Sequence, residues 1–325
     1  MFAVVEITGW HWVGFIACVL IFLALDLGVF HRHAHAVKFK EALVWSIIWF
    51  SLAMLFALAL KPLRGKQEAL QFVTGYLIEL SLSMDNVFVI ALIFAYFRVP
   101  QEHQHRVLYW GILGALIMRG LMIGLGLALI TLVDWVLYIF GAFLLYSGAR
   151  MLFVQTEVHP ENNRVVQWVR KLYPVTPELH GQRFMTLWEG RRALTPLALV
   201  LLMIETTDLL FAVDSIPAVF AVTRKPFIVF TSNVFAILGL RSLYFLLAGA
   251  IGYFRYLKYG LPAVLVFMGV EMLLDPHDRP PRWIQVDIPT SVSLLVVAGI
   301  LLVSIVLSVT ATHRQEKRGN PLKPA

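Results

Sequence analysis

Two short runs of acidic, hydroxyl and amide side chains interrupt sequence that is otherwise apolar. The first carries Glu79, Ser81, Ser83, Asp85 and Asn86, the second carries Glu205, Asp208, Asp214 and Ser215, and a further acid, Asp26, sits near the end of another apolar stretch. On a helix, Glu79, Ser83 and Asn86 fall at i, i+4 and i+7 and share one face, with Ser81 and Asp85 an i, i+4 pair beside it. Glu205 and Asp208 are i, i+3 neighbours, whereas Asp214 lies about 240° further round and ~9 Å further along the axis. Pro217 has no N–H and frees the carbonyl of Val213, which predicts a kink that re-aims Asp214 and releases a backbone oxygen.

All of these donors are hard oxygens: carboxylate, hydroxyl, amide and backbone carbonyl. No histidine or cysteine joins them, so the set selects Mg²⁺, Mn²⁺ or Ca²⁺ over Cu⁺ or Zn²⁺. Near-octahedral oxygen coordination suits Mn²⁺, but donor type does not separate the three. Six ionised acids exceed the charge of one dication even with Arg119 and Arg241 nearby, so part of the set carries protons when no ion is bound. Exchange of protons for metal is then the chemistry expected. Asp85 and Asp214 are the expected direct ligands, Glu79 and Asp208 ligate or carry protons, and Asn86 and Ser215 supply neutral oxygens. Asp26 has an interfacial or paired role as its alternative, and Glu205 a shaping one. A structural ion-pair network with Arg119 and Arg241 is the rival reading of the whole cluster.

The elements that must hold these residues are membrane spans. The chain of 325 residues is 59% hydrophobic and only 14% charged, with a mean hydropathy of +0.76. Soluble domains carry about 25% charged residues, so this is an integral membrane protein. Crossing ~30 Å of hydrocarbon takes about 20 apolar residues. Nine stretches qualify, at 8–30, 41–60, 70–97, 106–130, 133–153, 193–220, 227–252, 257–274 and 290–312. An acid at the bilayer centre costs about 2.5–3.5 kcal/mol on insertion scales, so a chain that keeps several uses them together. With the N-terminus outside, the inner loops and tail hold 18 Lys and Arg against seven in the outer loops. That bias sets the N-terminus outside and the C-terminus in the cytoplasm. Topology then accounts for the net charge of +7 without nucleic-acid binding.

Residues 138–153 align without a gap on 259–274, with identities that include Gly148/Gly269 and Met151/Met272. In the wider register Arg119 sits over Arg241, Asp85-Asn86 over Asp214-Ser215, and Glu79 over Asp208. The expected architecture is therefore all-α and polytopic. Two peripheral helices (8–60) precede a three-helix repeat (70–153), a cytoplasmic linker (154–192), a second repeat (193–274), a final helix (290–312) and a cytoplasmic tail (313–325). Three is odd, so the repeats insert in opposite senses, a common transporter plan with the site at their interface. Within the linker, Val165 to Leu172 predicts a short amphipathic helix and residues 183–190 a small hairpin. Glu102, Asp134 and Glu271 are expected at the interface, His31, His33, His35, His103 and His105 in inner loops, and the single cysteine, Cys18, packed within the first span. One cysteine allows no intrachain disulfide and no thiolate pair. No placed nucleophile or His-Glu-x-x-His motif is present, so the chain does not read as an enzyme. The alternative to a transporter is a non-transporting scaffold, or a pH or metal sensor.

Glu79-Leu-Ser-Leu-Ser-Met-Asp85-Asn86, then Ile204-Glu205-Thr-Thr-Asp208 through Asp214-Ser215-Ile216-Pro217, with Asp26-Leu-Gly-Val-Phe-His-Arg in the first span, resembles the TerC family of integral membrane proteins. The likeness runs from about residue 8 to 315, and the nine spans with a basic central loop resemble the family's Alx-type branch. The resemblance implies a LysE/TerC-like fold in a bacterial inner membrane and export of Mn²⁺ from the cytoplasm. It implies no prosthetic cofactor, leaves homo-oligomerisation open, and points the site to Asp26, Glu79, Asp85, Asn86, Glu205, Asp208 and Asp214. A redox label attached to the branch finds no support in a sequence with one cysteine.

Overall fold

A computed structural model describes residues 6–25, 39–133, 135–153, 164–188, 190–248, 257–274, 286 and 288–317. Ten helices make up most of it: α1 (Gly9–Leu25), α2 (Phe39–Arg64), α3 (Lys66–Tyr96), α4 (Gln101–Leu132), α5 (Val136–Phe153), α6 (Arg164–Leu172), α7 (Pro196–Val222), α8 (Pro226–Ala248), α9 (Leu257–Leu274) and α10 (Thr290–Lys317). Seven of these are long and apolar enough to cross a membrane, and two shorter apolar helices, Gly9–Ala24 and Tyr259–Leu274, accompany them. The chain is an all-α polytopic membrane protein. Helices are the expected solution because a backbone in hydrocarbon must satisfy its own hydrogen bonds.

Turn chemistry sets the breaks. Gly65, at φ 95°, separates α2 from α3 in a conformation that a side chain would strain. Pro100 caps α4, while Pro196 and Pro226 open α7 and α8, where their missing N–H removes no helical bond. Pro217 lies within α7, which runs as one helix from Pro196 to Val222. Between α6 and α7 lies a two-stranded antiparallel hairpin, β1 (Met185–Trp188) and β2 (Arg191–Leu194), with Trp188 opposite Arg191. It falls where the linker sequence placed a hairpin.

The bundle is built on α3, α4, α7 and α8. Helix α3 packs on both α7 and α8, and α4 does the same from the other side; α2 lies against α8 and α3, and α10 against α3 and α9. Helices α5 and α9 form a closely packed pair. Lipid tails are as apolar as leucine, so such pairs hold by close packing of small residues. A Cβ added at Gly269 would meet the backbone nitrogen of Leu145 at 2.8 Å and the carbonyl of Gly141 at 2.9 Å; one at Gly148 would meet the carbonyl of Pro262 at 2.9 Å.

Polar ties and aromatic packing close one end of the four-helix core. Glu68 of α3 is buried and paired with Arg64 and with Lys225, both at 2.7 Å, and Thr223 donates to Gln71 at 3.0 Å. Beneath them Phe56, Phe72, Tyr76, Phe227 and Phe235 pack against one another. Toward the other end, Tyr244 donates to Gln104 at 2.9 Å and Arg241 lies 3.1 Å from His105. His105 is therefore a buried residue of α4 and not part of a solvated loop.

Two further expectations are corrected. Cys18 does not pack into the bundle but lies on the exposed face of α1. Glu271 is buried, not interfacial, and accepts a hydrogen bond from Ser293 of α10. Glu102 is exposed as expected. Asp26, His31, His33, His35 and Asp134 lie outside the described residues.

The glycine contacts between α5 and α9 leave no room for a methyl group on either backbone. Gly269→Ala should cost about 1–3 kcal/mol by overpacking. The check is a thermal melt in detergent, where a midpoint equal to that of the wild type would contradict the packing described.

Candidate functional site

A buried guanidinium organises the polar centre of the bundle. Arg119 projects from α4 and is 2% exposed. Its Nε and Nη2 donate to the two carboxylate oxygens of Asp208 at 3.2 and 2.9 Å, and Nη1 is ion-paired with Glu79. The side-chain amide of Asn86 donates to Asp208 Oδ1 at 3.0 Å. Nη1 also reaches Ser215 Oγ at 3.5 Å and Asn233 Oδ1 at 3.4 Å. Four helices thus meet at one cation.

Helical periodicity explains which residues arrive. Seven residues make nearly two full turns, so Asn86 returns to the face of Glu79 on α3 and Ser215 to the face of Asp208 on α7. Six residues fall well short of that face, and the aspartates at that spacing point elsewhere. Asp214 accepts a hydrogen bond from Ser147 of α5 at 2.8 Å and lies near Arg150 of the same helix. Asp85 is half-buried and takes no part in the Arg119 network. The expectation of one cage containing Asp85 and Asp214 with Glu79 and Asp208 is corrected accordingly. Among the described residues, no three acids, histidines or cysteines lie together in a metal-holding group. The physical reason is the six-residue spacing, about 240° of rotation, which leaves Asp214 on the side of α5.

Glu205 lies one turn from Asp208, close enough for the two carboxylates to repel each other. Its carboxylate packs on bare backbone at Gly114 of α4, where any side chain would collide with it. Gly114 therefore makes room for an acid. Thr206 beside it is turned back onto its own helix, donating to the carbonyl of Leu202 at 2.9 Å.

Three acceptor atoms in this region have no hydrogen-bond donor: Glu79 Oε2, Asn86 Oδ1 and Glu205 Oε2. The Nδ2 of Asn233 is likewise buried without an acceptor. A small cavity of about 20 Å³ lies between α3, α4, α7 and α8 and is bounded by Asn86, Thr207 and Asp208; its walls are otherwise apolar, including Ile90, Leu108 and Leu240.

Asn233 was not among the residues singled out from the sequence. Its signal lies in the run Thr231-Ser232-Asn233 within an apolar span. Thr231 and Ser232 satisfy themselves on the carbonyls of Phe227 and Val229, at 2.7 and 3.1 Å, and only Asn233 reaches Arg119. Ser147, the partner of Asp214, carries no comparable signal.

An acid in this network can take up a proton when its partner is lost, whereas a guanidinium cannot. Removing both acids should therefore be worse than removing the arginine. Stranding a buried charge costs about 3–5 kcal/mol. Glu79→Gln/Asp208→Asn should lower the melting midpoint in detergent more than Arg119→Gln, and the triple variant should recover part of the loss. The reverse order, or additive losses, would contradict the pairing.

Comparison with known proteins now has a site to refer to. Residues 64–316 match the model of the integral membrane protein TerC family. A membrane protein of Myxococcus xanthus, STKORF319, is 52% identical over 299 residues, covering 91% of each chain. The Alx proteins of Escherichia coli (strain K12) and Salmonella typhi are each 45% identical over 317 residues, covering 94% of this chain and 96% of theirs; both are provisionally named membrane-bound redox modulators. No solved structure matches. On the extent of these matches, the chain belongs to the TerC family of integral membrane proteins.

Proposed function

We propose that the protein exports a hard divalent cation, Mn²⁺, from the cytoplasm across the bacterial inner membrane in exchange for protons. The observation that carries this reading is the convergence of Glu79 and Asp208, one from each acidic helix, on a single buried point. Their companions Asn86 and Ser215 are neutral oxygens at the matching helical positions. Oxygen-only donors favour Mn²⁺, Mg²⁺ or Ca²⁺, and the choice of Mn²⁺ follows the family resemblance.

The packing supports an inverted duplication. Helix α4 lies on α7 while α8 lies on α3, and α5 pairs with α9, so each three-helix unit meets the other through equivalent surfaces. With the N-terminus outside, the small cavity bounded by Asn86 and Asp208 lies toward the cytoplasmic half, while the Glu68 ion pairs and the aromatic cluster close the outer half. That arrangement suits loading from the cytoplasm. Glu205 stands beside the cavity end of α7, and Asp85, Asp214 and Asp26 are assigned to the approaches or to proton carriage.

A second reading, a scaffold or sensor in which the acids are structural, is favoured by the guanidinium that already occupies Glu79 and Asp208. The redox role in the relatives' name would need electron carriers, and this sequence has no thiol pair to serve as one, Cys18 being its single cysteine.

Reconstitution separates these readings. Wild-type protein in liposomes should carry Mn²⁺ across the membrane, acidify the compartment that loses metal, and lose flux to the level of empty liposomes in Asp208→Asn and in Glu79→Gln. Folded variants that match the wild-type flux, or wild type with none, would favour the scaffold. Competition by Mg²⁺ and Ca²⁺ in the same assay ranks the three ions.

A further inference from the structure

Arg119 takes the lone pairs that a metal ion would need. Both oxygens of Asp208 accept from its Nη2 and Nε, at 2.9 and 3.2 Å, Asn86 takes Oδ1 a second time at 3.0 Å, and Nη1 holds Glu79. A carboxylate offers about four lone-pair sites, so Asp208 has little left for a ligand while this arrangement persists. A dication within ligating range of Glu79 and Asp208 would also stand against a guanidinium that cannot release its proton, and like charges at such a distance exclude each other. For the site to load, the arginine must leave it.

The structure contains a place for it to go. The Nη1 that pairs with Glu79 also touches Ser215 Oγ at 3.5 Å and Asn233 Oδ1 at 3.4 Å. Both are longer than an ordinary N–H···O bond of about 2.9–3.0 Å, so each acceptor, Ser215 on α7 and Asn233 on α8, can take a closer bond from a guanidinium released by the carboxylates. Asn233 is 1% exposed, and its position beside Arg119 has no other evident use.

We propose that Arg119 is a tethered counter-cation: it pairs with Glu79 and Asp208 when the carrier is empty, and the divalent cargo displaces it onto Ser215 and Asn233. The inference rests on the cation-transport reading above and adds a residue that competes with cargo for the site. Such a competitor serves an exporter twice. It weakens cargo binding enough for release, and it offsets one of the two buried carboxylate charges in the empty carrier, leaving the other for a proton.

Isothermal titration of Mn²⁺ into the full-length protein in detergent tests this on wild type, Arg119→Gln, Asn233→Ala and the double variant. Displacement predicts that Arg119→Gln binds Mn²⁺ about tenfold tighter and that Asn233→Ala binds it several-fold more weakly, with the Asn233 effect gone once Arg119 is absent. Equal or weaker binding by folded Arg119→Gln overturns the proposal. So does an Asn233 effect that persists in the double variant, which would make Asn233 a direct ligand. If Arg119→Gln does not fold, Asn233→Ala decides alone, and unchanged or tighter binding overturns displacement. Wild type that binds no Mn²⁺ removes the transport reading together with this one, whereas wild-type binding with the Arg119 prediction unmet removes this one alone.

Discussion

A guanidinium inside a membrane cannot be neutralised and cannot be left alone. Arg119 meets that constraint by drawing one carboxylate from α3 and one from α7 and two neutral oxygens from α7 and α8. Lipid offers little hydrophobic drive for helix association, so interhelical polar contacts and small-residue packing fix the neighbours. The arginine network does the first for the four central helices, and the glycines between α5 and α9 do the second for the flanking pair. Asp214 joins the two, since its hydrogen bond to Ser147 ties α7 to α5.

The asymmetry of the two ends gives this centre a direction. Ion pairs from Glu68 and a layer of aromatic rings seal the side of the core where α7 ends and α8 begins. The opposite side keeps a small cavity bounded by Asn86 and Asp208, with otherwise apolar walls. A polar centre closed more heavily on one side than the other is compatible with one stage of alternating access. The proposed transport function builds on this asymmetry, and the displacement of Arg119 supplies a way for the same two carboxylates to be satisfied whether or not cargo is bound.

Much of this was legible in the residues. Long apolar runs gave the helices because hydropathy and length decide membrane spans, and the i, i+7 relation of Glu79 to Asn86 put both on the face that reaches α4 and α7. The hairpin followed from Glu189-Gly190 between two short β-prone runs. Other features were not local. The partner of Asp214 was set by packing, since nothing in the spacing along α7 says that Ser147 of α5 would meet it. Arg119 read both as a nearby countercharge and as part of a rival ion-pair network, and sequence spacing does not say which side chains cross between helices. Asn233 was hidden among two hydroxyl residues that satisfy themselves on their own helix. Cys18 faced outward for a reason absent from soluble proteins, where an apolar residue on a helix usually turns inward.

The most direct measurement is a structure of the protein with Mn²⁺, with anomalous scattering at the manganese edge to identify the ion. The account predicts one anomalous peak between the carboxylates of Glu79 and Asp208, with the Arg119 guanidinium withdrawn to Ser215 and Asn233. A peak distant from both carboxylates, or none while Arg119 still grips both oxygens of Asp208, would contradict it.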